Sequence, residues 1–168
     1  ADLHPETQIG DANFFDHTHR GITTGQTGVI GSGCVIYPCT LGGLSVKNQA
    51  RHPTIGDFVQ ISTDVGIFGR VDIGNYSVIG ANTEIYGLIQ VGREVRIGSS
   101  VVIGTVKPGT TANHSEVQPG SIRIGDQVRI GDGAVIENSV SSDLIIPHNS
   151  TIPTRSYVIN DGEGIPKF

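Results

Sequence analysis

The chain has 168 residues, which is enough for one domain with a substantial core and too few for two domains of ordinary size. Its formal net charge of −5 gives no basis for binding nucleic acid or an anionic membrane. No run approaches the roughly 20 apolar residues that span a bilayer, and no signal-peptide pattern is present, so we expect a cytoplasmic protein. The 24 glycines, together with abundant valine and isoleucine, indicate a backbone that bends at regular intervals rather than a disordered chain.

An aliphatic residue recurs every six positions through the middle of the chain, at Ile55, Ile61, Ile67, Ile73, Ile79, Ile85, Val91, Ile97 and Ile103. A small or apolar residue stands two positions before each of the last eight, and glycine often follows directly. Each unit is therefore predicted to be a short strand with two inward side chains, followed by a bend. A six-residue step does not supply the i, i+3, i+4 and i+7 spacing of an amphipathic helix, so no helix is predicted.

The same period is present on both sides of this run. In chain order it includes Leu3, Ile9, Phe15, Thr24, Ile30 and Ile36 before the run, and Ile124, Ile130, Ile136, Ile146, Ile152 and Val158 after it. Three strands in 18 residues form one triangular coil of a parallel β-helix, in which each strand stacks on its equivalent one coil away. We therefore predict an all-β fold, with residues 1–168 as a single β-helix domain of about seven coils.

The period breaks at three places. The step from Phe15 to Thr24 is nine residues, so the stretch FFDHTHRG at 14–21 is predicted to bulge from the prism. A later step of fourteen residues predicts a protruding loop at 42–54, and residues 104–121 form a second irregular segment. Because loops on a rigid scaffold often carry binding and catalytic residues, these breaks are the first places to look for a site.

Two of the breaks carry the densest polar chemistry. His17 lies fifteen residues after Asp2, close to one coil, so a carboxylate could hold one imidazole nitrogen while the other accepts a proton. Asp16 directly precedes this histidine. At the second break, Arg51 beside His52 could grip a carboxylate through the guanidinium fork. Solvated loop and corner residues would give the same pattern, so the residues alone leave both interpretations open.

The remaining polar features are less specific. Gly42 and Gly43 could expose backbone N–H groups to a ligand, although such a pair in a glycine-rich chain is most often a turn. The six histidines lack the close spacing of a metal motif, so no metal is expected. Cys34 and Cys39 fit neither a disulfide framework nor a C-x-x-C site, and we expect two reduced, partly buried thiols.

Five motifs, in order, resemble those of the serine O-acetyltransferases of the hexapeptide acyltransferase superfamily: DLHP at 2–5, DH at 16–17, GQTGVI at 25–30, TLGG at 40–43 and RHP at 51–53. The resemblance covers roughly residues 2–104 and extends to the spacing between motifs. It implies a left-handed parallel β-helix that assembles as homotrimers, with active sites in the grooves between subunits. It also implies a place in cysteine biosynthesis.

The resemblance implies a role for each matching residue. His17 corresponds to the general base that deprotonates the serine hydroxyl as it attacks the thioester of acetyl-CoA, and Asp2 to the carboxylate that orients this base. Asp16 is expected near the ammonium group of the amino acid, while Arg51 and His52 hold its carboxylate. Thr40, Gly42 and Gly43 correspond to the family residues along which the pantetheine arm of CoA runs.

The sequence also departs from the family pattern. His19 or Arg20 is one residue extra beside the base, and Gln26 stands where a glutamate is usual. Because the sequence starts at the first coil, we expect the family's helical N-terminal domain to be absent. About two coils follow the point where the family normally ends. Because the chain ends at Phe168 without the family's isoleucine tail, we do not expect docking to a cysteine synthase.

The leading hypothesis is therefore an acetyl-CoA-dependent O-acetyltransferase that acts on L-serine. A sugar or glycan hydroxyl is the alternative acceptor, because a histidine base does not select the alcohol that it deprotonates. Arg51 and His52 favour an acceptor that carries a carboxylate. Two alternatives come from other classes: a non-catalytic β-helix that serves as a scaffold or trimerisation module, and a zinc-dependent hydratase.

Overall fold

The structure is a computed structural model that describes residues 1–17, 20–44, 51–105 and 120–160. Within these ranges the regular secondary structure consists of 18 β-strands in two sheets, with no α-helix. Every pairing between these strands is parallel. The prediction of an all-β parallel solenoid is confirmed.

The strands stack on three sides of a prism. Side 1 contains β1 (Gln8–Ile9), β3 (Val29–Ile30), β6 (Thr54–Ile55), the second parts of β8 (Val65–Ile73) and β10 (Glu84–Val91), β13 (Ile122–Ile124) and β16 (Leu144–Ile146). Side 2 is the seven-stranded sheet of β2 (Phe14–Phe15), β4 (Val35–Ile36), β7 (Gln60–Ile61), β9 (Val78–Ile79), β11 (Arg96–Ile97), β14 (Arg129–Ile130) and β17 (Thr151–Ile152). Side 3 contains β5 (Cys39–Gly42), the first parts of β8 and β10, β12 (Val102–Gly104), β15 (Val135–Asn138) and β18 (Tyr157–Asn160).

Sides 1 and 3 belong to one sheet because β8 and β10 continue around the corner between them. The bends lie at Gly69 and Gly87, whose φ angles are 99° and 114°. L-residues with a side chain rarely adopt this backbone conformation, so glycine is required where a strand turns without a break. The two predicted loops, at 42–54 and 104–121, belong to the same corner. Each follows a strand of side 3 and precedes a strand of side 1.

The predicted aliphatic positions are the inward-facing ones. On side 2, Ile36 pairs with Ile61, Ile61 with Ile79, and Ile79 with Ile97, and all four side chains are at most 3% exposed. Neighbouring strand residues face outward, as the period of two requires. Full burial of each isoleucine side chain contributes about 1.5–3 kcal/mol, so these columns are the main stabilising feature of the stack.

The nine-residue step is confirmed by the strand register. Phe15 pairs with Ile36 on side 2, while Thr23 bridges to both Asp2 and Thr40 on side 3. The described residues of this step, 16–17 and 20–22, therefore lie at the corner between these two sides.

The two predicted loops begin and end slightly differently from the prediction. Gly42 still belongs to β5 and Thr54 already belongs to β6, while residues 45–50 lie outside the described residues. Similarly, Gly104 ends β12, and residues 106–119 lie outside the described residues. The assignment of the whole chain to a single domain stays a prediction, and Phe168 also falls outside the described ranges.

Candidate functional site

The predicted site residues lie at two corners on either end of side 3. We call the described residues 16–17 and 20–22, which lie between β2 on side 2 and the bridge at Thr23 on side 3, the His17 corner. The His52 corner joins side 3 to side 1 and consists of residues 4–7, 25–28, 43 and 51–53. In the second coil only a short extended segment links the two corners, at about 3.3 Å per residue and roughly 10 Å in all.

The His17 side chain is 58% exposed and lies beside the carboxylate of Asp16. Asp16 Oδ1 accepts the backbone N–H of His17 at 2.7 Å, and Asp16 Oδ2 lies 3.6 Å from His17 Nε2. His17 has a φ of 47°, a left-handed conformation that corner residues such as Phe58 and Tyr76 share. The imidazole is thus accessible to a substrate, with a carboxylate near enough to stabilise the positive charge that proton transfer would create.

Asp2 lies at the edge of side 3 next to this corner. Its backbone N–H donates to the carbonyl of Ile22 at 2.8 Å, and it bridges to Thr23. Because Thr23 in turn bridges to Thr40, these three residues form a polar column on side 3 between the two corners. The Asp16 carboxylate lies beside the His17 ring. The role predicted for Asp2 stays a prediction.

The residues that depart from the family pattern at this corner are described only in part. Arg20 is exposed, and its backbone N–H donates to the carbonyl of His17 at 2.9 Å. His19 lies outside the described residues.

His52 is 8% exposed and is held in place by Thr27. The Thr27 hydroxyl oxygen accepts the backbone N–H groups of Arg51 at 3.1 Å and of His52 at 3.3 Å. With its lone pairs used in this way, the hydroxyl proton is directed to His52 Nδ1, 2.9 Å away, and the Thr27 N–H also donates to Nδ1 at 3.3 Å. Because Nδ1 is an acceptor, the neutral ring carries its proton on Nε2.

The surroundings of His52 favour this neutral form. Burial lowers the pKa of His52, and the charges of Arg51 and His4 lower it further. At neutral pH the ring therefore presents a fixed N–H donor rather than a base, and the adjacent positive charge belongs to Arg51.

Two glycines make room for the His52 ring. A Cβ added at Gly25 would overlap the imidazole, and one at Gly43 would lie 2.7 Å from His52 Nε2 and 2.8 Å from Arg51 Nη1. The two donor nitrogens therefore converge beside Gly43. At Gly42, a Cβ would lie 2.7 Å from Cδ1 of Phe68, whose ring covers this part of the outer face of side 3.

Sequence reasoning missed several members of the His52 corner, although they lie within the quoted motifs. Thr27 belongs to GQTGVI and His4 to DLHP. The His4 backbone N–H donates to Thr24 Oγ1 at 3.0 Å, which ties the first coil to the second. Gln26 Nε2 donates to Glu6 Oε2 at 2.7 Å, so a glutamate at position 26 would bring two carboxylates into contact.

Other kinds of site find little support in the described residues. Within those ranges no group of three His, Cys, Asp or Glu side chains is placed to hold a metal ion. Across the same ranges, no helix has the length and apolar character to cross a membrane. Cys34 and Cys39 are buried and unpaired with each other, and burial raises the pKa of Cys39 to about 12, so neither thiol is an activated nucleophile.

Comparison with known proteins identifies relatives, although no family model matches the sequence. A serine acetyltransferase of Mycobacterium tuberculosis is 36% identical over 120 residues, which are 71% of this chain and 48% of that protein. A serine acetyltransferase of Helicobacter pylori is 35% identical over 113 residues, or 66% of this chain and 55% of the relative. The one from Haemophilus influenzae is 36% identical over 80 residues, or 47% and 30%. The chain thus spans between 30% and 55% of the length of these relatives.

Solved structures of similar proteins carry the same name. The serine acetyltransferase of Neisseria gonorrhoeae in complex with serine is 30% identical, with a TM-score of 0.49, over 64% of this chain and 40% of that one. A serine acetyltransferase in complex with CoA is 29% identical, with a TM-score of 0.44, over 63% and 40%. The sequence relatives confirm the resemblance that the five motifs carry.

Proposed function

We propose that this chain, which is related to the serine acetyltransferases through its hexapeptide-repeat β-helix, is an acetyl-CoA-dependent O-acetyltransferase with L-serine as acceptor. The observation that carries the proposal is the meeting of three separate motifs at the His52 corner. Gly25 and Thr27 of GQTGVI, Gly43 of TLGG, and the Arg-His pair of RHP pack against one another there. None of these residues points to a binding site by itself, but their convergence at one corner supports one.

The convergent donors support an acceptor with a carboxylate. Arg51 supplies a charged guanidinium, and His52 supplies the Nε2–H of a neutral imidazole beside it. Charge-assisted hydrogen bonds of this kind are roughly twice as strong as neutral ones. A sugar hydroxyl would use neither the positive charge nor the second donor, so an amino acid fits this corner better.

In the proposed reaction His17 acts as the general base. Its imidazole takes the proton of the acceptor hydroxyl while the hydroxyl oxygen attacks the thioester carbonyl carbon of acetyl-CoA. The tetrahedral intermediate collapses with cleavage of the C–S bond, and the imidazolium returns the proton to the departing CoA thiolate. A positioned base contributes about 10²- to 10⁴-fold to the rate. Asp2 is proposed to orient the ring, and Asp16 to pair with the ammonium group of the acceptor.

The proposal extends to the assembly and the co-substrate. Thr40, Gly42 and Gly43 run along side 3 towards the His52 corner and are proposed to contact the pantetheine arm of CoA. We also propose that the protein is a cytoplasmic homotrimer with active sites in the grooves between subunits. Side 3 separates the two corners within one chain, so one active site would take its two corners from neighbouring subunits. In such a groove the His17 corner of one subunit can face the His52 corner of its neighbour.

The test is CoA release from acetyl-CoA, scored against L-serine, homoserine and a panel of small sugars. We expect L-serine to be preferred, and we expect Arg51→Gln to raise the KM for L-serine at least about tenfold through loss of a charged hydrogen bond. Arg70→Gln is the matched control, because Arg70 is an exposed outward residue of β8 on side 1.

Two outcomes would contradict the proposal. If sugars are preferred and Arg51→Gln does not change this preference, the acceptor is a hydroxyl compound without a carboxylate. If acetyl-CoA neither binds nor is consumed, the protein is a β-helix scaffold instead.

A further inference from the structure

Arg96 and Arg129 occupy directly paired positions on the outer face of side 2. They are partners in the register of β11 and β14, and both side chains are exposed. Neighbouring strands lie about 4.8 Å apart, so two cationic side chains leave the sheet from adjacent points. Like charges placed directly opposite each other on neighbouring strands are destabilising. The arrangement therefore favours a bound anion.

No carboxylate of the described ranges forms an ion pair with either arginine. The ion pairs there are those of His17 with Asp16, Arg123 with Asp143, and His148 with Asp126. Along the outer face of side 2, the residue paired with Arg96 on the other side is Val78, and the residue paired with Arg129 is Thr151. Along the stack, the two positive charges thus have uncharged neighbours on either side.

The arginines line two adjoining surface depressions. The larger one, of about 810 Å³, is lined by the two arginines together with Tyr76, Glu94, Gln127, Asn149 and Thr151. The smaller one, of about 340 Å³, continues past the arginines along Gly98, Gly131, Thr151 and Thr154. The exposed hydroxyls of Thr151 and Thr154 and the Asn149 side-chain amide therefore lie around the pair as additional donors to an anion.

Among the residues that the structure describes, Glu94 is the one carboxylate that lines the larger depression. Its Oε2 accepts a hydrogen bond from Gln127 Nε2 at 3.0 Å. With two arginines and one glutamate, the depression keeps an excess of positive charge.

We propose that Arg96 and Arg129 form a binding site for a phosphate monoester. Such a group carries a charge of about −1.5 to −2 near neutral pH and three acceptor oxygens, so it can satisfy two guanidinium forks at once. A carboxylate has one charge and would leave one arginine uncompensated. The Thr151 hydroxyl and the Asn149 amide can serve the remaining oxygen.

This site is separate from the acceptor site. His17 follows the first strand of side 2, whereas Arg96 lies on the fifth, so about four strand spacings, or about 19 Å along the stack, separate them. The phosphate can come from two sources: the nucleotide end of acetyl-CoA, which carries a 3′-phosphate monoester, or an independent phosphorylated metabolite.

Binding is tested by calorimetry with adenosine 3′,5′-bisphosphate, which carries phosphate monoesters and no thioester, and with adenosine as the unphosphorylated comparison. The native protein is expected to bind the bisphosphate and not adenosine. Arg96→Gln and Arg129→Gln are each expected to weaken binding about tenfold or more, while Arg70→Gln on side 1 leaves it unchanged. Circular dichroism checks that the variants keep the native fold.

Absence of bisphosphate binding to the native protein would overturn the proposal. So would a loss of bisphosphate affinity in Arg70→Gln as large as in Arg96→Gln or Arg129→Gln. Steady-state kinetics with acetyl-CoA and acetyl-3′-dephospho-CoA then separate the two sources. A KM that rises in Arg129→Gln for acetyl-CoA alone identifies the co-substrate as the source, whereas an unchanged KM with lost bisphosphate binding identifies an independent ligand. Because calorimetry needs no turnover, this proposal and the proposed acetyl transfer fail separately.

Discussion

The two corners at the ends of side 3 each hold a histidine, and their surroundings make the two rings chemically different. His17 has a side chain that is 58% exposed and lies beside the Asp16 carboxylate. His52 is 8% exposed, accepts hydrogen bonds at Nδ1 and has a lowered pKa because of burial and the neighbouring positive charge of Arg51. Exposure and a carboxylate suit a proton acceptor, whereas burial and fixed donors suit a rigid hydrogen-bond donor.

Burial and partners, not residue type, therefore decide what each imidazole can do. Both histidines lie within breaks of the same six-residue period, and the period itself does not distinguish them. The following predictions test whether the division between a proton-accepting corner and an anchoring corner holds.

The largest effect is expected for His17→Ala. Loss of the proposed base should lower kcat for acetyl transfer to L-serine by about 10²- to 10⁴-fold, with little change in thermal stability, because the side chain is mostly exposed. His52→Ala is the comparison: it should act mainly on the KM for L-serine. Assays of CoA release under saturating acetyl-CoA measure both. Full thioester consumption by His17→Ala would remove this histidine from the mechanism.

Gly25→Ala should disturb the anchoring corner through packing. The added methyl would overlap the His52 ring, and overpacking of this kind typically costs about 1–3 kcal/mol. Urea denaturation gives the free energy of unfolding. In a double-mutant cycle, His52→Ala should recover much of the loss by removing the ring that the methyl meets. A neutral Gly25→Ala variant would show that the ring does not pack against this glycine.

The His52 ring should titrate below its ordinary pKa of about 6.5. Because the folded-state pKa is lowered, its contribution to stability is fully present above pH 6.5 and is lost as the pH falls through the folded-state value. Imidazole NMR should show the Nε2–H tautomer at pH 7 and a midpoint that rises in Arg51→Gln, since one source of the shift is removed. A midpoint above 6.5 in the native protein, or an Nδ1–H tautomer, would contradict the anchoring role.

The smallest effect concerns side 2, away from both corners. Arg129→Gln should raise the free energy of unfolding by about 0.2–1 kcal/mol in phosphate-free buffer, because it removes a like-charge pair. The gain should shrink as salt screens the repulsion, and Arg70→Gln should show no such gain. Thermal denaturation at low and high ionic strength measures this. Destabilisation by Arg129→Gln in low salt would argue against repulsion between the two arginines.

The regular part of the fold could be predicted because its signal is local. Ile61, Ile79 and Ile97 were expected to face inward, and they stack in register at 0–3% exposure. The nine-residue step after Phe15 also predicted the corner that holds His17. In each case the alternation of inward and outward side chains along a short strand is enough to identify the structure.

The contacts of the site could not be predicted in the same way. Thr27 meets His52 across 25 residues rather than one 18-residue coil, because the intervening loop changes the spacing. For the same reason, Arg96 and Arg129 become neighbours across 33 residues. Contacts between coils depend on the number of residues in each loop before the chain returns to register. The local six-residue pattern does not show which corner side chains will meet after such a loop.

The sequence by itself determined a parallel β-helix with inward aliphatic columns, the positions of its breaks and the family resemblance that names the candidate residues. Only the tertiary structure decided that Asp16 contacts the His17 ring, that two glycines and Thr27 fix His52 as a neutral donor, and that two arginines share one face. The physical reason is that inward alternation follows from the backbone of each strand, whereas desolvation, tautomer and charge pairing arise between coils that are distant in sequence.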